Sequence, residues 1–105
     1  MSAKIEYKDK EISVFLSGEI DHHSASLIRA SIDDAIIHKH PSLLVLDFSA
    51  VTFMDSSGIA VVINAMRHMN QLNGSLSVTG LGSQPMRVFR ASGIDKLVEI
   101  KEVIL

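Results

Sequence analysis

"SLLVLDFSAVTFMDSSGIAVVINAMRHM" (residues 42–69) changes its hydrophobic period part-way along, and that change decides the fold class. Residues 42–49 are almost continuously apolar. They predict a central β-strand covered on both faces. From about residue 56 to residue 72 the spacing becomes helical, with Ile59, Val62, Ile63, Met66 and Met69 on one stripe, and Gly74 stops the segment. A strand leading through a short turn into a helix is half of a βαβ unit.

The flanking sequence supplies the remaining elements. Ile5 and Tyr7 alternate with Lys4, Glu6 and Lys8, then Ile12, Val14 and Leu16 alternate with Ser13, Phe15 and Ser17. This period of two predicts two strands joined by a short turn, the second ended by Gly18. Between about Ser24 and Lys39, Ile28, Ile32, Ala35 and Ile36 form a helical stripe that Pro41 closes. "SLSVT" (75–79) reads as a strand with one wetter face. "GLGSQPMRVFRASG" reads as a loop and a short helix, capped by Ser83 or Gln84, with Pro85 near its start and Gly93 at its end. Residues 96–105 are compatible with a last strand running into a helix fragment, which the sequence does not decide. The order β-β-α-β-α-β-α-β implies one α/β domain over residues 1–105 whose later strands are parallel.

Composition narrows the function. The chain has 105 residues, 47% of them apolar, with four Phe, one Tyr and no Trp. Ten basic and twelve acidic residues leave a net charge of −2, which argues against a broad electrostatic grip on nucleic acid or an anionic membrane. No apolar run approaches the roughly 18 residues of a bilayer span, and "MSAKIEYKDK" is unlike a signal peptide. The absence of cysteine excludes thiolate chemistry and suits a reducing cytoplasm.

Chemistry concentrates in "FMDSSG" (53–58). A hydrolase nucleophile elbow needs glycine two residues on either side of its serine. Around Ser56 the first of these is Met54, and around Ser57 both flanks fail. A Walker A loop needs several glycines and a lysine, which this turn lacks. What remains is position: Asp55 near the N-cap of a helix, with Ser56 and Ser57 in its first turn, at the carboxyl end of a central strand. "GEIDHHSA" (18–25) occupies the equivalent place after the second strand. Asp21-His22-His23 shares its letters with a phosphoesterase motif, but the other metal-ligand motifs are missing and adjacent histidines diverge, so no metal is expected. His38 and His40 read as polar residues at a helix C-terminus, and the methionines as packing residues. In a parallel sheet the two turns emerge at one edge, making Asp21 and the serines neighbours.

"GEIDHHSA", "LLVLDFSAVTFMDSSGIAVVINAMRHM" and "MRVFRASGIDKLVEI", in this order and spacing, resemble the anti-sigma factor antagonists of the STAS-domain family, over essentially the whole chain. The resemblance is strongest to the bacterial sporulation and stress-response members. It implies a mixed, mostly parallel sheet of 4–5 strands with helices packed mainly on one face. It implies no enzymatic activity and no cofactor. The implied partners are a serine-kinase anti-sigma factor with a histidine-kinase-like ATPase fold and a PPM-type serine phosphatase. The unphosphorylated antagonist would bind the kinase and release the sigma factor. The alternative is the same phosphorylatable module acting on a non-sigma partner in biofilm, motility or secretion control.

By motif, the resemblance puts the phosphate on Ser57, with Ser56 the less favoured neighbour and Asp21 and Asp55 as flanking acids. Further expected roles follow from the turn. Asp55 caps the helix and orients the serine hydroxyl, Gly58 admits a partner backbone, and Met54 and Ile59 offer apolar contact or are buried. A phosphate in a helix's first turn is expected to be tolerated by free amides and the dipole. Exposed apolar residues on the sheet would be compatible with a weak homodimer.

Overall fold

The computed structural model describes residues 3–101. Strands β1 (Ala3–Lys8), β2 (Glu11–Ile20), β3 (Leu43–Met54), β4 (Ser75–Thr79) and β5 (Glu99–Lys101) form one sheet in the order β1-β2-β3-β4-β5. β1 runs antiparallel to β2, and the other three pairings are parallel. Helices α1 (His22–Lys39), α2 (Ser56–Gln71) and α3 (Ser83–Ser92) supply the crossovers, and a 3₁₀ turn at Ile94–Lys96 precedes β5. The helix fragment expected beyond the last strand falls outside the described residues. No helix among the described residues is long and apolar enough to cross a membrane.

The core lies on one face of the sheet. Ile12, Val14 and Leu16 of β2, Leu44, Leu46 and Phe48 of β3 and Val78 of β4 all point into it. The predicted α1 stripe meets them, with Ile28, Ile32, Ala35 and Ile36 all buried. α3 joins the same layer by an edge-to-face contact between Phe89 and Phe48, ring centres 5.5 Å apart. In α2 the buried set is shifted by part of a turn. Val61 and Ala65 are inside, while Ile63 and Met66 are only half-buried.

With the helices on one side, β3 is not covered on both faces as its apolar run suggested. Leu43, Val45 and Asp47, on the helix-free face, are half-buried among the side chains of β2 and β4. Among the described residues Ser77, on that face of β4, is the one buried polar residue.

β3 is also longer than its period predicted, running on to Met54. Along β2, residues 15 to 17 and 18 to 19 face residues 47 to 50 and 51 to 53 of β3, so β3 twice inserts one extra residue. Each insertion is a bulge that resets which side chain points inward. The inward series is therefore Leu44, Leu46, Phe48, Val51 and Met54, which no simple alternation describes. β2 likewise does not stop at Gly18. Gly18 adopts φ +76° beside the second register shift, and the strand continues to Ile20. A Cβ at Gly18 would touch nothing within 4 Å, so its backbone angle is what favours glycine.

Candidate functional site

The two bulges bring the ends of β2 and β3 level. Ile20 pairs with Met54, and the Asp55 N–H donates to the Ile20 carbonyl at 3.1 Å. Each strand is followed at once by an aspartate in extended conformation that caps the next helix: Asp21 for α1 and Asp55 for α2. The expected convergence of the two turns at one sheet edge is therefore present.

At the first turn, the Ser24 N–H donates to the Asp21 carboxylate at 2.8 Å, and the Asp21 N–H donates to the Ser24 hydroxyl at 3.0 Å. This reciprocal capping box starts α1 at His22, two residues earlier than its hydrophobic stripe indicated. The Ser24 amide, and secondarily its hydroxyl, hold the Asp21 carboxyl below the ordinary value of 3.8. His22 and His23 occupy the exposed first turn.

At the second turn, one Asp55 carboxylate oxygen accepts the Ser57 N–H at 2.8 Å, and the Asp55 carbonyl accepts the Gly58 N–H at 3.0 Å. The cap predicted for Asp55 is thus made, to the Ser57 amide. Ser56 is exposed and Ser57 is half-buried.

Burial narrows three expectations for this turn: Met54 and Ile59 take the buried alternative, and Gly58 is enclosed as well. Met54 has no exposed surface and cannot offer contact to a partner. Gly58 is buried, and its missing side chain has an internal reason: a Cβ there would collide with the Met54 methyl and lie 3.3 Å from the Met54 sulfur. Ile59 is 7% exposed and forms only part of a groove wall.

Two residues not singled out for the site in the sequence lie beside the turn. Phe53 is turned outward by the second bulge and is 44% exposed, the large apolar side chain beside the turn that Met54 is not. Gln84, in the first turn of α3, places its side-chain amide against the Met54 backbone. The Met54 N–H donates to Gln84 Oε1 at 2.9 Å, and Gln84 Nε2 donates to the Met54 carbonyl at 2.8 Å. α3 itself begins at Ser83 after an N-cap at Gly82 that makes no side-chain bond, so neither Ser83 nor Gln84 is its cap. Between α2 and α3 lies an open, mainly apolar groove of about 440 Å³, walled by Ser56, Ile59, Ala60 and Ile63 on one side and Val88, Ala91 and Ser92 on the other. Ser56 thus joins the turn to the groove.

The profile of the STAS domain matches residues 3–104. The chain belongs to the STAS-domain family. This STAS domain is 31% identical over 100 residues to an anti-sigma F factor antagonist of Paenibacillus polymyxa, an alignment covering 95% of this chain and 86% of the relative. It superimposes on the anti-sigma factor antagonist SpoIIAA in its unphosphorylated form with a TM-score of 0.87 and 27% identity, covering 97% of this chain and 88% of the other. Against the Bacillus cell fate determinant SpoIIAA in the phosphorylated form, the TM-score is 0.78 at 27% identity, with 97% and 91% covered. The five-stranded mixed sheet with three helices is the fold of this STAS domain and of those structures alike.

Proposed function

We propose that this STAS domain is an anti-sigma factor antagonist, a non-enzymatic cytoplasmic regulator controlled by phosphorylation of Ser57. In its unphosphorylated form it binds a serine-kinase anti-sigma factor and releases the sigma factor. Phosphorylation by that kinase weakens the complex, and a PPM-type phosphatase restores it. The observation that carries the reading is the capped α2 start. Asp55 holds the Ser57 amide at 2.8 Å, which presents a serine in the first turn of a helix at an exposed sheet edge. The likeness to an anti-sigma factor antagonist solved in both phosphorylated and unphosphorylated forms supports it.

The switch works through the surface. A phosphoryl group adds a charge of about −1.5 to −2 and three strong acceptors. Asp55 and Asp21 already flank the turn. A partner packed over Ser56, Ser57 and the outward ring of Phe53 would have to desolvate a dianion between two carboxylates. A penalty of about 3 kcal/mol lowers affinity more than 100-fold, since roughly 1.4 kcal/mol is tenfold.

The decisive experiment is phosphopeptide mapping of the protein from its native cells, over the tryptic segment ending at Arg67, with fragmentation that separates Ser56 from Ser57. Phosphate on Ser57 is expected. Ser57→Ala should retain kinase binding and lose phosphorylation, and Ser57→Asp should bind more weakly with little loss of fold. Equal affinity of wild type and Ser57→Asp for the kinase, by titration calorimetry, would refute the mechanism.

A further inference from the structure

The last residue of β3 has an unusual bonding problem. Successive residues of a strand direct their backbone groups to opposite sides. The Asp55 N–H turns toward β2, where it meets the Ile20 carbonyl. The Met54 N–H and carbonyl therefore face the other side, toward β4. But β4 has already ended: its last pair with β3 is Asp47 with Thr79. Met54 would leave a donor and an acceptor unpaired next to the core.

The Gln84 side chain fills this place. Its carboxamide presents an acceptor to the Met54 N–H and a donor to the Met54 carbonyl, at 2.9 and 2.8 Å, so it stands in for a residue of a missing strand. No other side chain of that length offers both roles: ionised glutamate lacks the donor, and methionine has no donor and only a weak sulfur acceptor. Packing fixes the amide in place. Pro85 and Phe89 of α3 are buried, and Phe89 meets Phe48 of the same β3 strand. Met54 precedes Asp55, and Asp55 holds the Ser57 amide.

We propose that Gln84 is a positioning residue for phosphorylation: its amide clamps Met54, and through Met54 and Asp55 it holds the Ser57 hydroxyl where a kinase can use it. The proposal rests on the phosphoacceptor reading of Ser57. It makes α3 and the α2 turn one mechanical unit across the apolar groove. It also predicts that a change at Gln84 on α3, 30 residues from Met54 in sequence, is felt at the acceptor.

The test uses Gln84→Met, of similar length but with no donor and only a weak sulfur acceptor, in the full chain. Amide hydrogen exchange by NMR reads the clamp, and phosphate transfer from radiolabelled ATP, by the kinase isolated from the native cells on wild-type substrate, reads its consequence. A folded Gln84→Met chain with core amides unchanged is expected to exchange faster at Met54 and Ser57. Its kcat for phosphorylation is expected to fall roughly ten- to a hundredfold with KM nearly constant, because misplacing a reacting group slows the chemical step. Wild-type exchange at Ser57, or an unchanged kcat, would overturn the proposal. Should Gln84→Met not fold, Gln84→Glu, which keeps an acceptor for the Met54 N–H, is read by the same criteria. A wild-type chain that takes no phosphate on Ser57 overturns the phosphoacceptor reading and the positioning role with it. Phosphorylated wild type beside an equally good Gln84→Met substrate overturns the positioning role alone.

Discussion

Gly58→Ala separates two explanations of the same glycine. Gly58 lies in the first turn of α2, where replacing glycine by alanine ordinarily stabilises a helix by up to about 1 kcal/mol. Here the added methyl would fall on the Met54 methyl, 3.3 Å from the Met54 sulfur and 3.4 Å from the Met54 Cβ. Met54 has no exposed surface, so its end must move within the packed core. Overpacking of this kind costs about 1–3 kcal/mol, and the flexible thioether keeps the figure toward the lower end. Set against the helix gain, the net expectation is a loss of up to about 0.5 kcal/mol, or a fall in Tm of roughly 2–4 °C. The chain has no tryptophan and one tyrosine, so circular dichroism is the suitable probe for thermal and urea unfolding. Combining Gly58→Ala with Met54→Ala should cost less than the sum of the two single changes, since the new methyl occupies part of the cavity that Met54→Ala opens. A Gly58→Ala chain more stable than wild type by about 0.5–1 kcal/mol, as helix propensity alone would give, refutes the packing account. If that stable variant also lost partner binding, the glycine would have to serve the approach of a partner backbone instead.

The remaining expectations concern the caps and the surface. Asp55→Ala removes the acceptor of the Ser57 N–H and should cost about 0.5–2 kcal/mol in urea unfolding, whereas Asp55→Asn should retain most of that stability. The Asp21 carboxyl is held below 3.8 by Ser24, so its stabilising contribution is complete above that value and is lost as the pH falls through it toward the lower folded-state value. The difference in unfolding free energy between wild type and Asp21→Asn should therefore be constant above about pH 5 and shrink on acidification; a difference independent of pH would contradict the bond. Phe53→Ser should change stability by no more than about 0.5 kcal/mol, as for other exposed positions. The same change should lower affinity for the kinase about fivefold or more if the ring is an interface anchor. Unaltered binding would remove Phe53 from the interface.

How much of this was legible depended on whether the signal was local. The α1 stripe of Ile28, Ile32, Ala35 and Ile36 could be read directly, because an uninterrupted helical period maps onto one buried face. The Asp55 cap was also legible, since an aspartate just before an apolar helical run has few other local uses. The far half of β3 was not. Two inserted residues destroy the alternation on which strand reading relies, and they exchange the apparent roles of Phe53 and Met54. The start of α1 was displaced because the capping-box partner is a serine at position 24, where Glu or Gln would have been diagnostic. Gln84 carried no local signal. Its importance arises from β4 ending before β3 does, a fact of sheet geometry that no short window of sequence contains.

The capped turn also constrains how a phosphate on Ser57 would be accommodated. The Ser57 amide already donates to Asp55, and the Gly58 amide to the Asp55 carbonyl, so these two first-turn donors are not free to receive it. The phosphoryl group would gain the α2 dipole, worth roughly 0.3–1 kcal/mol when exposed. It would also meet the Asp55 carboxylate, a repulsion of about 1 kcal/mol per pair of unit charges at 4 Å in water. With a phosphoryl charge of about −1.5 to −2 the repulsion exceeds the dipole gain by about 1 kcal/mol while the turn is hydrated, which is small beside an ordinary fold stability of about 5–15 kcal/mol. The balance changes when a protein covers the turn, because excluding water strengthens the repulsion and removes the hydration of the dianion. The same charges that cost folding little would therefore oppose association, and the Asp55 carboxylate that caps α2 would give a phosphate on Ser57 its leverage over a partner.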